Sequence, residues 1–198
     1  MIRQQEKQEQ IMIAAVKRLS HFGVHKTTLG EIAEDLGMST QALLYYFADK
    51  QTLIKAVLEY IAYGYLLSLS KHMALAANFE EALIQLVETR YEYFSRYYMI
   101  LCELIDSDPP KTSDLLSLKD YLYQKERNIL ISLFEDAMAM KEVKGSSASQ
   151  VVQLVQETLD AFSHSVNRSH RIPEEGQMKQ LMEKQKDVIK LMYKGIAA

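Results

Sequence analysis

Glycine and proline are scarce in this 198-residue chain, with seven and three residues respectively. Strands need frequent turns, and the long stretches free of both residues exclude a mostly β architecture. There is one cysteine, Cys102, which excludes an intrachain disulfide and any multi-cysteine zinc site and fits a reducing compartment. No apolar run approaches the roughly 18 residues of a membrane span, so no membrane partner is expected. Residues 1–10 are polar and do not read as a signal peptide. No Gly-rich phosphate loop, metal-ligand spacing or nucleophile motif occurs, which argues against an enzyme and against a bound cofactor or metal. What remains is ordinary for a globular chain: 48% hydrophobic and 25% charged residues with a net charge of −3, too apolar and too weakly charged for disorder. The expectation is a soluble, cytoplasmic, all-α protein.

Charge is placed unevenly. The first 55 residues carry seven basic and six acidic side chains, a net of +1, while the remainder carries a net of −4. The N-terminal part is therefore no bulk polycation, and nucleic-acid binding there must rest on the placement of single cations rather than on overall field.

Helical periodicity is nearly continuous and predicts about nine helices. The first, over about residues 3–22, carries Ile11, Ala15, Leu19 and Phe22 on one face and stops at Gly23. Thr28 and Glu31 form a capping-box pattern that opens a short helix ending at Gly37. Ser39 caps a third over about residues 40–46, with Leu43 and Phe47 turned inward. Asp49 caps a fourth, running from residue 50 to about 75 with Gly64 inside it. Asn78 and Glu81 open a fifth, the run Phe94-Ser-Arg-Tyr-Tyr98 breaks it before a short sixth, and residues 106–112 are a Pro-containing loop. The seventh covers about residues 113–140; Ser147 and Gln150 open the eighth, and residues 167–173 form a loop before the ninth.

The segment from Thr28 to Lys50 carries the functional signal. Two short helices separated by Gly37-Met38-Ser39 fit a helix-turn-helix, whose second helix can lie in a DNA major groove. Its polar face is Thr40, Gln41, Ala42 and Tyr45. Thr and Gln can hydrogen-bond base edges, and Ala can meet a thymine methyl. Lys50 stands in the first turn of the next helix, where a cation opposes the helix dipole unless a phosphate compensates it.

Ala14-Ala15, Phe22-Gly23, Thr27-Thr28, Ile32-Ala33, Leu36-Gly37-Met38-Ser39, Leu43, Tyr46-Phe47, Lys50 and Leu53 together resemble the DNA-binding domain of the tetracycline-repressor (TetR) family of bacterial regulators. The resemblance covers about the first 55 residues. It implies a helix-turn-helix domain over residues 1–48 and a ligand-binding and dimerisation domain over 49–198. It also implies a homodimer that binds inverted-repeat operator DNA and answers to a small apolar or aromatic ligand, most simply as a repressor. By the same resemblance Thr28, Tyr46 and Lys50 would touch phosphates, and Thr40, Gln41, Ala42 and Tyr45 would face bases. One position departs: Leu44 stands where the family usually has a tyrosine, and it cannot hydrogen-bond a phosphate. The alternative reading is accordingly a helical small-molecule-binding or interaction protein with weakened DNA recognition.

Beyond residue 55 the chain is rich in Tyr and Met. Singly these are ordinary core residues; with the resemblance they suggest an apolar pocket dotted with hydroxyls, for which Tyr60, Tyr63, Tyr91, Phe94, Tyr98, Cys102 and Tyr121 are the candidates. The last two helices carry heptad-like stripes: Val152, Val155, Leu159, Phe162 and Val166 on one, Met178, Met182, Ile189 and Met192 on the other. Such seams form half of a four-helix bundle between two copies, which would set two recognition helices about 34 Å apart.

Overall fold

In the computed structural model, the described residues are 2–105, 113–144, 147–167 and 175–198, with side chains described for 4–102, 117–144, 147–162 and 176–198. The predicted loop at 106–112 and all but the first residue of that at 167–173 lie outside them. The helices are α1 (Ile2–Phe22), α2 (Leu29–Asp35), α3 (Thr40–Leu44), α4 (Lys50–Leu75), α5 (Phe79–Arg96), α6 (Tyr98–Ile105), α7 (Ser113–Ala139), α8 (Ala148–Asn167) and α9 (Glu175–Ile196). The only β pairing among the described residues is an isolated bridge between Val143 and Ala197.

Most helix ends follow from residue chemistry. Gly23 (φ 83°) closes α1 in the left-handed conformation, with its N–H on the Leu19 carbonyl at 2.9 Å. Asn78 Oδ1 accepts from Glu81 N at 2.8 Å to cap α5. Ser147 Oγ accepts from Gln150 N at 3.4 Å to cap α8. The end of α7 is different, because Lys141 takes a left-handed φ of 60° and Glu142 N bonds the Ala137 carbonyl at 2.9 Å. That is a glycine's task done by a lysine, so no punctuation residue marks it in the sequence.

Two compact units divide the chain: residues 1–64 with 96–120, and residues 65–95 with 121–198. The division falls inside α4, after Gly64, whereas the sequence places the domain boundary at 48/49. The physical reason is that Leu53, Val57, Leu58 and Ile61 of α4 are buried with the N-terminal helices. In the first unit α2 packs on both α1 and α3, and α6 packs on α1. Ile11, Ala15, Leu19, Ile32, Leu43 and Leu53 are fully buried there. Full burial of each large aliphatic side chain among them contributes about 1.5–3 kcal/mol.

The second unit is centred on Leu69, Leu83, Leu86, Leu130, Phe134 and Leu159, with Phe79 edge-on to Phe134 at 5.2 Å between ring centroids. One expectation needs correcting: α4 is by length and composition long and apolar enough to cross a membrane. A helix that lends its apolar residues to a core meets the same criterion, and Leu53, Val57, Ile61, Leu69 and Met73 are buried here.

Candidate nucleic-acid interface

The helix-turn-helix is set by short-range hydrogen bonds. Thr28 caps α2 through a reciprocal box: its hydroxyl accepts from Glu31 N at 3.3 Å, and its own N–H donates to Glu31 Oε2 at 2.7 Å. Glu31 is held below the usual carboxylate range, first by the Thr28 backbone N–H and then by the Thr28 hydroxyl. At the other end Gly37 has φ 62°, Gly37 N bonds the Glu34 carbonyl at 2.9 Å, and Met38 N bonds the Ala33 carbonyl at 3.0 Å. These two bonds are a Schellman closure, and they turn the chain into α3 within three residues. Ser39 Oγ then accepts from Ala42 N at 3.1 Å to start α3.

With the turn fixed, helical spacing sends Leu43 and Phe47 into the core, 0% and 7% exposed, and leaves Thr40, Gln41 and Tyr45 outside. Ala42 is half-buried on the same side. Tyr45 is 74% exposed and lies one residue past α3, edge-on to the half-buried Tyr46 at 5.2 Å. The four residues expected to face bases therefore occupy one short solvent-facing segment.

The three expected phosphate contacts stand differently from one another. Tyr46 borders an open cleft beside α3. Lys50 turns its ammonium onto the Val24 carbonyl at 2.5 Å, which uses one of three N–H donors and offsets its unfavourable place at the start of a helix. Thr28 is exposed, but its hydroxyl also donates to Glu31 Oε2 at 2.9 Å, so both its donors end on one carboxylate. Asp49 caps α4 by accepting from Thr52 N at 2.7 Å and from the Thr52 hydroxyl at 2.8 Å, and these bonds lower its pKa, the backbone one foremost.

A brace not read from the sequence fixes α2 on α1. Arg18 Nη1 donates to both carboxylate oxygens of Asp35 at 2.8 and 2.9 Å, Nη2 lies 3.2 Å from Glu31, and the guanidinium lies over the Phe22 ring at 5.2 Å. Glu31 and Asp35 are four apart on one face of α2, a spacing that could have identified them as a clamp for one arginine.

The candidate pocket residues do not gather in one unit. Tyr60, Tyr63, Tyr98 and Cys102 belong to the first, and Tyr91, Phe94 and Tyr121 to the second. Tyr63 is 70% exposed, Tyr121 51% and Tyr60 38%, while the other four are half-buried. The polar chemistry inside the second unit lies elsewhere, on Tyr65, Arg90, Glu126, Gln156 and Asp160. Glu126, 4% exposed, is gripped by Arg90 through Nε at 3.1 Å and through Nη2. It also accepts from the Tyr65 hydroxyl and from Gln156 Nε2, the latter at 3.0 Å. Arg90 Nη1 reaches Asp160 at 3.1 Å. Burial works to raise the Glu126 carboxyl, but the Arg90 charge, aided by these hydrogen bonds, outweighs it and leaves the pKa lowered. Burial also raises the Tyr65 hydroxyl, with the Glu126 charge reinforcing it.

The residues expected to form the dimer seam are mostly buried within one copy. Val152, Val155, Leu159, Met178, Met182 and Ile189 are all 8% exposed or less, and most belong to the core of their own unit. Phe162 and Met192 are half-buried, Met192 against that core. Val166 lies outside the described side chains. Residues packed within one copy cannot also be the seam between two. A second stripe, one position away, is more open: Leu154 and Ala161 on α8 and Lys184 and Leu191 on α9 are exposed, Leu154 58% and Leu191 66%, while Thr158, Leu181 and Val188 are half-buried and Val151 packs against the core. Both stripes have the same three-and-four spacing, so periodicity alone did not separate them.

Residues 11–57 match the family model described as bacterial regulatory proteins, tetR family. The chain is 34% identical over 121 residues to the HTH-type transcriptional regulator RutR of Escherichia coli O157:H7, covering 58% of this chain and 57% of the relative. The chain thus spans little more than half the length of that relative, and about a quarter of the RutR of Escherichia coli K12, with which it is 47% identical over 55 residues. A transcriptional regulator from Cytophaga hutchinsonii superposes with a TM-score of 0.85 at 26% identity, covering 97% of this chain and 99% of that one. FadR from Bacillus subtilis, solved with stearoyl-CoA, has the same fold, with a TM-score of 0.68 at 17% identity over 95% of this chain and 98% of that one.

Proposed function

We propose that this chain, whose residues 11–57 match the tetR family of bacterial regulatory proteins, is a cytoplasmic, sequence-specific DNA-binding regulator, a ligand-responsive repressor that binds an inverted-repeat operator as a homodimer. The observation that carries the reading is α3. Thr40, Gln41, Ala42 and Tyr45 form one outward segment, capped by Ser39 and fixed from below by Leu43 and Phe47. A five-residue helix has no stability of its own. Its burial of two large side chains holds it rigidly, which a base-reading surface needs.

Dimerisation is assigned to the more open stripe on α8 and α9 rather than to the buried one, with Leu154 and Leu191 as its exposed large apolar members. Pairing makes the second half-site contact intramolecular, so two weak domains bind as one tight reader. The ligand is a small apolar or aromatic molecule that favours one arrangement of α4, the helix that contributes residues 50–64 to one unit and 65–75 to the other. Only a difference in ligand affinity between the two arrangements can drive release, and a shift from 1:99 to 99:1 needs about 5.5 kcal/mol.

The test is selection of random duplex DNA by purified protein at physiological salt. Enrichment of an inverted repeat with half-sites on one face of the duplex is the expected result. Failure of any sequence to enrich overturns the reading in favour of a helical binding protein whose recognition is impaired at Leu44.

A further inference from the structure

Residues 28–47, the helix-turn-helix itself, contain no lysine or arginine, although Lys17 and Lys26 nearby are exposed. The Arg18 guanidinium is spent on Asp35 and Glu31, and one Lys50 donor is tied to the Val24 carbonyl. Leu44 supplies no hydroxyl. Yet α1 brings polar groups to the recognition helix by another route. An open cleft of about 500 Å³ has Glu6, Lys7 and Gln10 of α1 as one wall and Met38, Ala42 and Tyr46 as the other. Ala42 belongs to the outward face of α3 and Tyr46 directly follows that segment, so the cleft is continuous with the surface proposed to meet DNA. Lys7 reaches Gln10 Oε1 at 3.3 Å, a weak tether that uses one of its three N–H donors.

We propose that this cleft seats the sugar-phosphate backbone of bound DNA beside the major groove that α3 enters, with Lys7 of α1 as the phosphate-binding cation. The inference rests on the DNA-binding reading above. Its chemistry is a phosphodiester between a lysine ammonium and the Tyr46 hydroxyl, with Met38 and Ala42 against the sugar. Lys7 then supplies the backbone anchoring that Leu44 cannot. Glu6 on the same wall opposes it, because a carboxylate beside a phosphate weakens binding. The site therefore carries two charges whose effects on DNA must have opposite signs, which a merely structural role for either would not produce.

The experiment measures affinity for duplex DNA against salt concentration, on the selected operator and on a scrambled duplex. Each phosphate contact contributes about −0.9 to the slope of log affinity against log salt. Lys7→Gln is expected to make the slope shallower by about 0.9 per bound protomer, equally on both duplexes. Lys7→Arg is expected to keep it, and Glu6→Gln to tighten binding on both. Circular dichroism melts of each variant monitor the fold. An unchanged slope in Lys7→Gln, or loss on the operator alone, overturns the backbone seat while leaving sequence-specific binding intact. Wild-type protein that enriches no sequence but still shows the Lys7-dependent slope overturns the regulator reading and leaves the seat standing. Wild-type protein that binds neither duplex overturns both.

Discussion

The caps of the helix-turn-helix and the polar centre of the second unit satisfy their hydrogen bonds at opposite ranges. In the first, Thr28 answers Glu31, Ser39 answers Ala42, Asp49 answers Thr52 and Gly37 answers Glu34, all across three residues. In the second, Arg90 meets Glu126 across 36 residues and Asp160 across 70, and Tyr65 meets Glu126 across 61. Short-range caps are each worth about 1 kcal/mol and fail one at a time. A buried ion pair is a joint structure: removing one member strands the other in a place that water does not reach. The first kind of order is modular and the second is collective.

The sharpest way to break that contrast is Arg90→Ala. It leaves the Glu126 carboxylate buried without its counter-charge, and the expected loss of stability is about 3–5 kcal/mol, read by urea denaturation. Replacing both partners, as in Arg90→Met with Glu126→Leu, is expected to recover much of that loss, since apolar packing can stand in for a buried pair. A double variant as unstable as the single one would show that Tyr65 and Gln156, not the charge, carry the cost.

The same carboxylate gives the second unit a pH dependence of definite sign. Its folded pKa is lowered from an ordinary 4.5, so it contributes stability that is fully present above that value. The contribution is lost as the pH falls from there through the folded pKa. Denaturation followed between pH 7 and pH 3 is expected to show a falling midpoint that is shallower in Glu126→Gln. Identical acid profiles for the two proteins would remove Glu126 from the account.

The exposed and buried stripes of α8 sharpen the comparison between order inside one copy and order between copies. Leu154→Glu puts a charge on the exposed stripe and, for the dimer proposed above, is expected to give monomer in sedimentation with the fold retained. Val155→Glu, one residue on, puts the charge into a site that is 1% exposed and is expected to unfold the chain. Were Leu154→Glu to remain dimeric, the seam would have to be sought elsewhere.

These contrasts also explain what the sequence made visible. The helix-turn-helix was legible because its punctuation is local: a capping pair, a left-handed glycine and a serine cap lie within a dozen residues, and each has one strong interpretation. The second unit was legible as helices but not as chemistry. Arg90 follows buried Leu86 by four residues and Glu126 precedes buried Leu130 by four, so both charges sit on otherwise apolar stripes. That misplacement was the available sign of a buried pair, although spacing could not say which charge meets which. Aromatic residues are pocket candidates by type alone, and type does not fix direction, as the 70% exposure of Tyr63 demonstrates. The candidate seam met a related limit: α8 carries two stripes of the same spacing, and only packing tells which is inside.

Thr28→Ala is the smallest of the expected effects, and it separates the two roles that a single threonine can have. Capping predicts a stability loss of about 1 kcal/mol, restored by Thr28→Ser, which offers the same hydroxyl to Glu31 N. Phosphate binding predicts instead a loss of DNA affinity at temperatures far below the melt. The geometry favours the first. Both Thr28 donors end on the Glu31 carboxylate, and a phosphate would have to take them from a group that repels it. Denaturation midpoints should therefore move in Thr28→Ala while operator affinity at low temperature changes little. A large affinity loss with an unmoved midpoint would mean that Glu31 releases Thr28 when DNA arrives, and that this cap, unlike those of α3 and α4, belongs to the free protein alone.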